Sequence, residues 1–183
     1  MSKPWMSEED FKTKRSFMTG RDWPARTVDE AYNADVTRSA LAQLAKWDVG
    51  DRNVAVLSGK VGCGKSVAAA RWCMARTTRI GFVRAATFAA IGRYDVEARA
   101  RYYGADGLCI DDLGAEYADK NGSFLVDMDE IIDTYYADKR PLLITTNLPW
   151  NEFSERYGAR VTDRVKGCAM WIQVLGESMR TKK

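Results

Sequence analysis

From residue 53 to residue 66 the chain reads NVAVLSGKVGCGKS, an apolar run that breaks into glycines and ends in a lysine and a serine. No other stretch limits the fold as strongly. Asn53 to Ser58 is apolar and β-branched enough for a buried parallel strand, and Ser66 to Arg76 carries the apolar spacing of a helix. Between them the backbone must turn sharply. Gly59, Gly62 and Gly64 permit that turn and leave backbone N–H groups uncovered at the positive end of the following helix. A loop of this kind cradles phosphates. Its members are Gly59, Lys60, Val61, Gly62, Cys63, Gly64, Lys65, Ser66 and, in the first helical turn, Val67. In a G-x-x-x-x-G-K-[ST] loop the lysine reaches the β- and γ-phosphates and the hydroxyl ligates magnesium. ATP with Mg2+ is therefore the expected ligand, and Lys65 and Ser66 are its expected contacts.

The rest of the chain alternates strand and helix around that loop. After the strand at 53–58 come a helix at 65–77, a strand at 80–84, helical stretches at 87–92 and 96–103, and a strand at 107–111. A helix at 124–137, a strand at 141–146, short helices at 150–157 and 161–166, and a strand at 169–175 follow. Strands separated by helices give an α/β fold with a parallel sheet and right-handed crossovers. The length of 183 residues suits one domain. Residues 1–28, with mixed charge and little periodicity beyond a short helix from Ser7 to Phe17, read as an arm or tail. Residues 29–176 read as the core and 177–183 as a basic tail.

Two further strands end in chemistry. Leu108-Cys109-Ile110-Asp111-Asp112 is an apolar strand that stops in two carboxylates, and ligands in such sheets bind beyond the carboxyl ends of the strands. Asp111 is where a magnesium-organising acid belongs, and Asp112 is placed to polarise a water; the bland alternative is a pair of solvated acids opening a loop. Leu142-Leu143-Ile144-Thr145-Thr146-Asn147 ends in an amide that suits a γ-phosphate or lytic water, or simply turn chemistry before Pro149.

The formal charge of +3 excludes a strongly basic body, so contact with nucleic acid must come from a local patch. Four cysteines without paired C-x-x-C spacing, and no histidine, argue against zinc and for reduced thiols, which points to the cytoplasm. No run approaches the roughly 18 apolar residues of a membrane span, and the N-terminus has no apolar signal segment.

With these motifs in order, the chain resembles the AAA+ ATPases, specifically the DnaC/IstB-like group of helicase loaders and transposition helper ATPases. GKVGCGKS resembles Walker A, LCIDDLGAE Walker B, ITTNL sensor 1, RYGARVTDRV the arginine-finger segment and LGESMR the group's C-terminal ending. The resemblance implies a P-loop NTPase of the ASCE class: a five-stranded parallel sheet in the order 5-1-4-3-2, flanked by helices and without a C-terminal helical lid. It implies that Lys65, Asp112 and Asn147 serve catalysis, that Ser66 and Asp111 hold magnesium, and that Arg164, or Arg160, is a finger given to a neighbouring subunit's ATP. Such a finger contributes about 10³ to 10⁵ in rate. The plain alternative for both arginines is a basic helix face paired with Asp163 or Glu155. Arg180 is either a second phosphate sensor or part of a solvated basic end.

The chain departs from the group's pattern in three places. Many members carry Glu at the position of Asp112, so slow turnover is expected, with Glu116 as a substitute carboxylate. No lid-borne sensor follows the last strand. Only about 50 residues precede the core strand, where helicase loaders carry a sizeable helicase-binding region, so the partner stays open. Arg84, Arg93, Arg99 and Arg101, interleaved with tyrosines, suit single-stranded DNA, or form a solvated helix face. The expected function is a DNA-replication ATPase that assembles with copies of itself and acts with single-stranded DNA and a replicative helicase. The alternatives are a transposase-linked helper ATPase, a small metabolite kinase, and a non-hydrolysing ATP-binding adaptor.

Overall fold

Five short strands lie side by side and parallel: β1 (Val54–Ser58), β2 (Ile80–Arg84), β3 (Gly107–Leu113), β4 (Leu142–Thr146) and β5 (Ala169–Gln173). Their spatial order is β2-β3-β4-β1-β5, the expected order read from the other edge. The structure is a computed structural model that describes residues 5–34, 39–47, 49–76, 79–91, 95–116 and 123–175. Eight helices are described among these residues: α1 (Glu8–Thr19), α2 (Ala25–Tyr32), α3 (Ser39–Ala45), α4 (Lys65–Met74), α5 (Ala85–Ala90), α6 (Val96–Tyr103), α7 (Ser123–Ala137) and α8 (Trp150–Cys168). None is long and apolar enough to cross a membrane.

Every residue of β1 and β4 is buried, which is why both read as unbroken apolar runs rather than alternating ones. Alternate side chains feed two cores. Ala55, Leu57, Phe82, Cys109 and Leu143 point to the side covered by α1 to α4. Val54, Val56, Leu108, Ile110 and Ile144 point to the side covered by α5 to α8. The carboxyl ends of β1, β3 and β4 consequently share one edge of the sheet, with the start of α4 above them.

The N-terminal segment that reads as an arm packs against the first core. Met18 and Trp23 are buried with Val28, Leu44 and Trp72, and Trp23 is only 2% exposed. Its indole Nε1 donates to the carbonyl of Ile80 (3.0 Å), and the amide of Phe82 donates to the carbonyl of Arg21 (3.2 Å). These bonds cover part of the outer edge of β2, which would otherwise present unpaired backbone groups. The two helices expected at 150–157 and 161–166 are the two halves of α8, which meet across a kink at Gly158 (φ 75°, ψ 175°).

Candidate functional site

At the end of β1 the chain enters the loop through Gly59, whose amide donates to the carbonyl of Thr146. A β-carbon at Gly59 would stand 2.5 Å from the backbone oxygen of Val174, so only glycine fits. Gly62 (φ 78°) and Gly64 (φ 95°) take left-handed conformations that turn the loop into α4. Gly64 is the N-cap of α4, and no side chain caps the helix there. The first-turn N–H groups of α4 are thus directed at the space in front of the loop.

Lys65 is 6% exposed, with Nζ donating to the carbonyls of Gly59 (2.8 Å) and Lys60 (3.0 Å) and to Asn147 Oδ1 (2.7 Å). The amide of Asn147 passes the contact on: its Nδ2 donates to Asp112 Oδ1 (3.1 Å). On the neighbouring strand, Ser66 Oγ donates to Asp111 Oδ1 (2.6 Å). The five residues therefore form a hydrogen-bonded chain of three, Lys65–Asn147–Asp112, and one pair, Ser66–Asp111, at one edge of the sheet.

Thr145 belongs to this site although no motif in the sequence announces its role. It is fully buried, and its hydroxyl donates to Asp111 Oδ1 (2.7 Å) while accepting from the backbone amide of Asp112 (3.0 Å). Asp112 needs such a hold, because it is a non-glycine residue in a left-handed conformation (φ 61°), where β3 slips register between Ile110 and Leu113. The available signal was a pair of threonines in a strand otherwise made of aliphatic residues.

A cavity of about 630 Å³ opens in front of these groups, within the ~300–1,000 Å³ common for small-molecule sites. Gly62, Gly64, Lys65, Ser66, Asp111, Asp112 and Asn147 line it, with Val61 and Val67 at its side. Pro24, Thr27 and Glu30, at the N-cap and along α2, form a wall that no sequence motif announced. Arg84 also lines it, from the end of β2, in register with Asp111.

Glu116, the substitute carboxylate, is committed elsewhere. Its side chain is 2% exposed, paired with Arg156 (3.0 Å), and accepts from Tyr157 Oη (2.7 Å) and the amide of Gly114 (2.7 Å). Burial pushes the Tyr157 phenol well above its ordinary value.

Arg160 and Arg164 do not line the cavity of their own chain. Both meet Asp129 on α7, Arg160 Nε at 2.6 Å and Arg164 Nε at 2.8 Å, and Arg164 also pairs with Asp133. Their partners are thus α7 acids rather than Asp163 or Glu155. Arg84 lines the cavity, whereas Arg99 and Arg101 are ion-paired on α6. Arg99 is packed against Asp127 (2.9 Å), and Arg101 pairs with Asp22 at the α1–α2 connection (2.5 Å). Arg93 and Arg180 lie outside the described residues.

This donor set suits ATP with Mg2+. Left-handed glycines and an uncapped helix start offer backbone N–H groups to phosphates, and the Ser66 hydroxyl and Asp111 carboxylate are the hard oxygen ligands that magnesium accepts.

No protein-family model matches the chain. Among curated proteins, the replicative helicase loader DnaC of Escherichia coli (strain K12) is 27% identical over 146 residues, 72% of this chain and 59% of that protein. In sequence, the chain is therefore similar to DnaC. It spans about three-fifths of the length of the DnaC proteins it matches. Among solved structures, a protein provisionally assigned as a primosome component in Streptococcus pyogenes serotype M3 superposes with a TM-score of 0.66 at 19% identity, over 90% of this chain and 98% of that one. The replication initiator DnaA, bound to AMPPCP and single-stranded DNA, superposes with a TM-score of 0.61 at 16% identity, over 80% of this chain and 46% of that one. At these identities the two superpositions establish the fold alone.

Proposed function

We propose that this protein is a slow ATPase of the helicase-loader kind, working in the cytoplasm with a replicative helicase and single-stranded DNA. The observation that carries the reading is the convergence of Lys65, Ser66, Asp111, Asp112 and Asn147 on one cavity beside an uncapped helix start. The likeness to DnaC supports the choice among ATPases.

In this reading the loop amides and Lys65 bind the β- and γ-phosphates, and Lys65 exchanges its carbonyl partners for phosphate oxygens. Ser66 and Asp111 would hold magnesium, which would supply positive charge to the phosphate oxygens. Asp112 accepts the proton of the attacking water, and Asn147 fixes where that carboxylate points. Thr145 keeps both acids in place from below. Arg164, with Arg160 beside it, reaches the ATP of a neighbouring subunit once copies assemble, so a lone subunit lacks the cation that stabilises the transition state.

The test is ATP hydrolysis per subunit as a function of protein concentration, with and without single-stranded DNA, alongside Lys65→Ala and Arg164→Ala. Specific activity that rises with concentration and vanishes in both variants is expected. A flat rate that survives Arg164→Ala would overturn the assembling ATPase.

A further inference from the structure

At the opposite end of the sheet from the phosphate loop, two cavities lie side by side and share Asp106. One, of about 430 Å³, is lined by Trp47, Trp72, Arg76, Lys139 and Arg140; the other, of about 270 Å³, by Arg21, Arg79, Arg101 and Tyr102. Six cations therefore meet two carboxylates, Asp22 and Asp106, in a chain whose formal charge is only +3. Asp22 is taken by Arg101, and Arg140 is held by Asp138. Among the described residues, Arg21, Arg76, Arg79 and Lys139 have no acidic partner. The charge excess is local, and it faces away from the nucleotide cavity.

A second observation points to a missing acceptor. Trp72 is 4% exposed, and its Nε1 has no hydrogen-bond partner; Arg76 Nε and Arg140 Nε are buried and orphaned in the same way. Three buried donors without a partner meet around one cavity, and a donor removed from water favours an acceptor. An acceptor-only ligand entering between them would supply one. Arginine predominates among the cations, and its planar fork matches phosphate oxygens better than an ammonium does. The Arg76 guanidinium stacks 4.3 Å from the Trp72 ring centre, and the Arg21 guanidinium 3.8 Å from that of Phe17, so aromatic faces brace the cations.

We infer that this face, at the amino ends of the strands, binds the phosphodiester backbone of a single nucleic-acid strand, with successive phosphates in the two cavities on either side of Asp106. Paired cavities suit a ligand with a repeating charge. The site is separate from Arg84 and Arg99, which the sequence grouped into a DNA patch; Arg84 lines the nucleotide cavity, and Arg99 is spent on Asp127. Because it lies outside the phosphate loop, the inference stands whether or not the chain hydrolyses ATP.

The experiment is fluorescence anisotropy of a labelled oligo(dT) across a salt series, without nucleotide, in a Lys65→Ala background. Wild-type surface residues are compared with Arg79→Ala combined with Lys139→Asn. Both side chains are exposed, and asparagine tolerates the left-handed backbone at 139 (φ 52°). Thermal unfolding of the variant establishes that it is folded. The expected result is weaker binding by the variant, equally for other base sequences, and a plot of log K against log salt that is shallower by about 1.4, at roughly 0.7 per lost phosphate contact. Unchanged affinity and slope in the folded variant would overturn the inference. So would an absence of binding by the unsubstituted face, displacement of the oligonucleotide by inorganic phosphate alone, or equal binding of an oligoglutamate of the same charge, which would make the face a site for acidic protein.

Discussion

The Lys65 ammonium sits 2.7 Å from Asn147 Oδ1, and the other end of the same amide donates to Asp112. One side chain thus ties the phosphate-loop lysine to the carboxylate proposed as the base. A phosphate that draws Lys65 away would release Asn147 while leaving its contact with Asp112 available.

Asn147→Ala is expected to leave nucleotide affinity nearly unchanged and to slow hydrolysis by about a hundredfold, the loss that follows when a reacting group is displaced by about 1 Å. Equilibrium binding of a fluorescent ATP analogue and single-turnover hydrolysis, measured on the same preparation, separate the two effects. An equal loss in both would assign Asn147 to binding instead.

Thr145 offers a sharper structural test, because it is fully buried and serves Asp111 and the Asp112 amide together. Thr145→Val keeps the shape but strips both bonds, and should lower stability by about 1–3 kcal/mol. Thr145→Ser restores the hydroxyl and should recover most of that loss. Urea unfolding of the two variants decides the matter, and equal midpoints would show that the hydroxyl does not hold the acids.

Glu116 anchors the loop after β3 to α8 through Arg156 and Tyr157. Glu116→Ala leaves the Tyr157 hydroxyl buried without its acceptor and should cost about 3 kcal/mol, near the lower end for breaking a buried pair because the Arg156 side chain is 34% exposed. Denaturant midpoints check it. A loss below 1 kcal/mol would mean that the loop is held by other contacts.

Burial pushes the thiols of Cys73 and Cys109 up from the ordinary value near 9. Below pH 9 both folded and unfolded chains keep these protons. Above it the unfolded chain loses them while the native chain retains them, so stability should fall as pH rises through this range. Urea midpoints should be lower at pH 10 than at pH 7.5, with a smaller decline in Cys109→Ala. Iodoacetamide at pH 7.5 should meanwhile modify the half-buried Cys63 ahead of the three buried thiols, and MgATP should slow that reaction. A pH-independent midpoint, or early modification of Cys109, would contradict the burial argument.

Much of this architecture is local and was therefore legible before any coordinates. The run from Asn53 to Ser66 prescribes strand, turn and helix because glycine spacing and apolar period act over a few residues. Buried parallel strands have to be apolar on both faces, so β1, β3 and β4 were visible as runs, and the polar residues that end them, Asp111, Asp112 and Asn147, stood out as the edge of the sheet. The strand order came with the family resemblance to those motifs. The spelling of a motif also names its residues without saying what they touch.

Tertiary structure decided what depends on two distant segments meeting. Trp23 looks like an arm residue until Ile80 accepts its indole proton, 57 positions away. Arg99 and Arg101 read as free cations until Asp127 and Asp22 appear beside them, and Glu116 reads as a spare carboxylate until Arg156 closes on it. Trp72, Arg76 and Lys139 share no motif, and only the packing of α4 against the amino ends of the strands gathers them around one cavity. Charge and hydrogen-bonding capacity are written in single residues, but whether they are spent or left available is set by neighbours that chain order does not reveal.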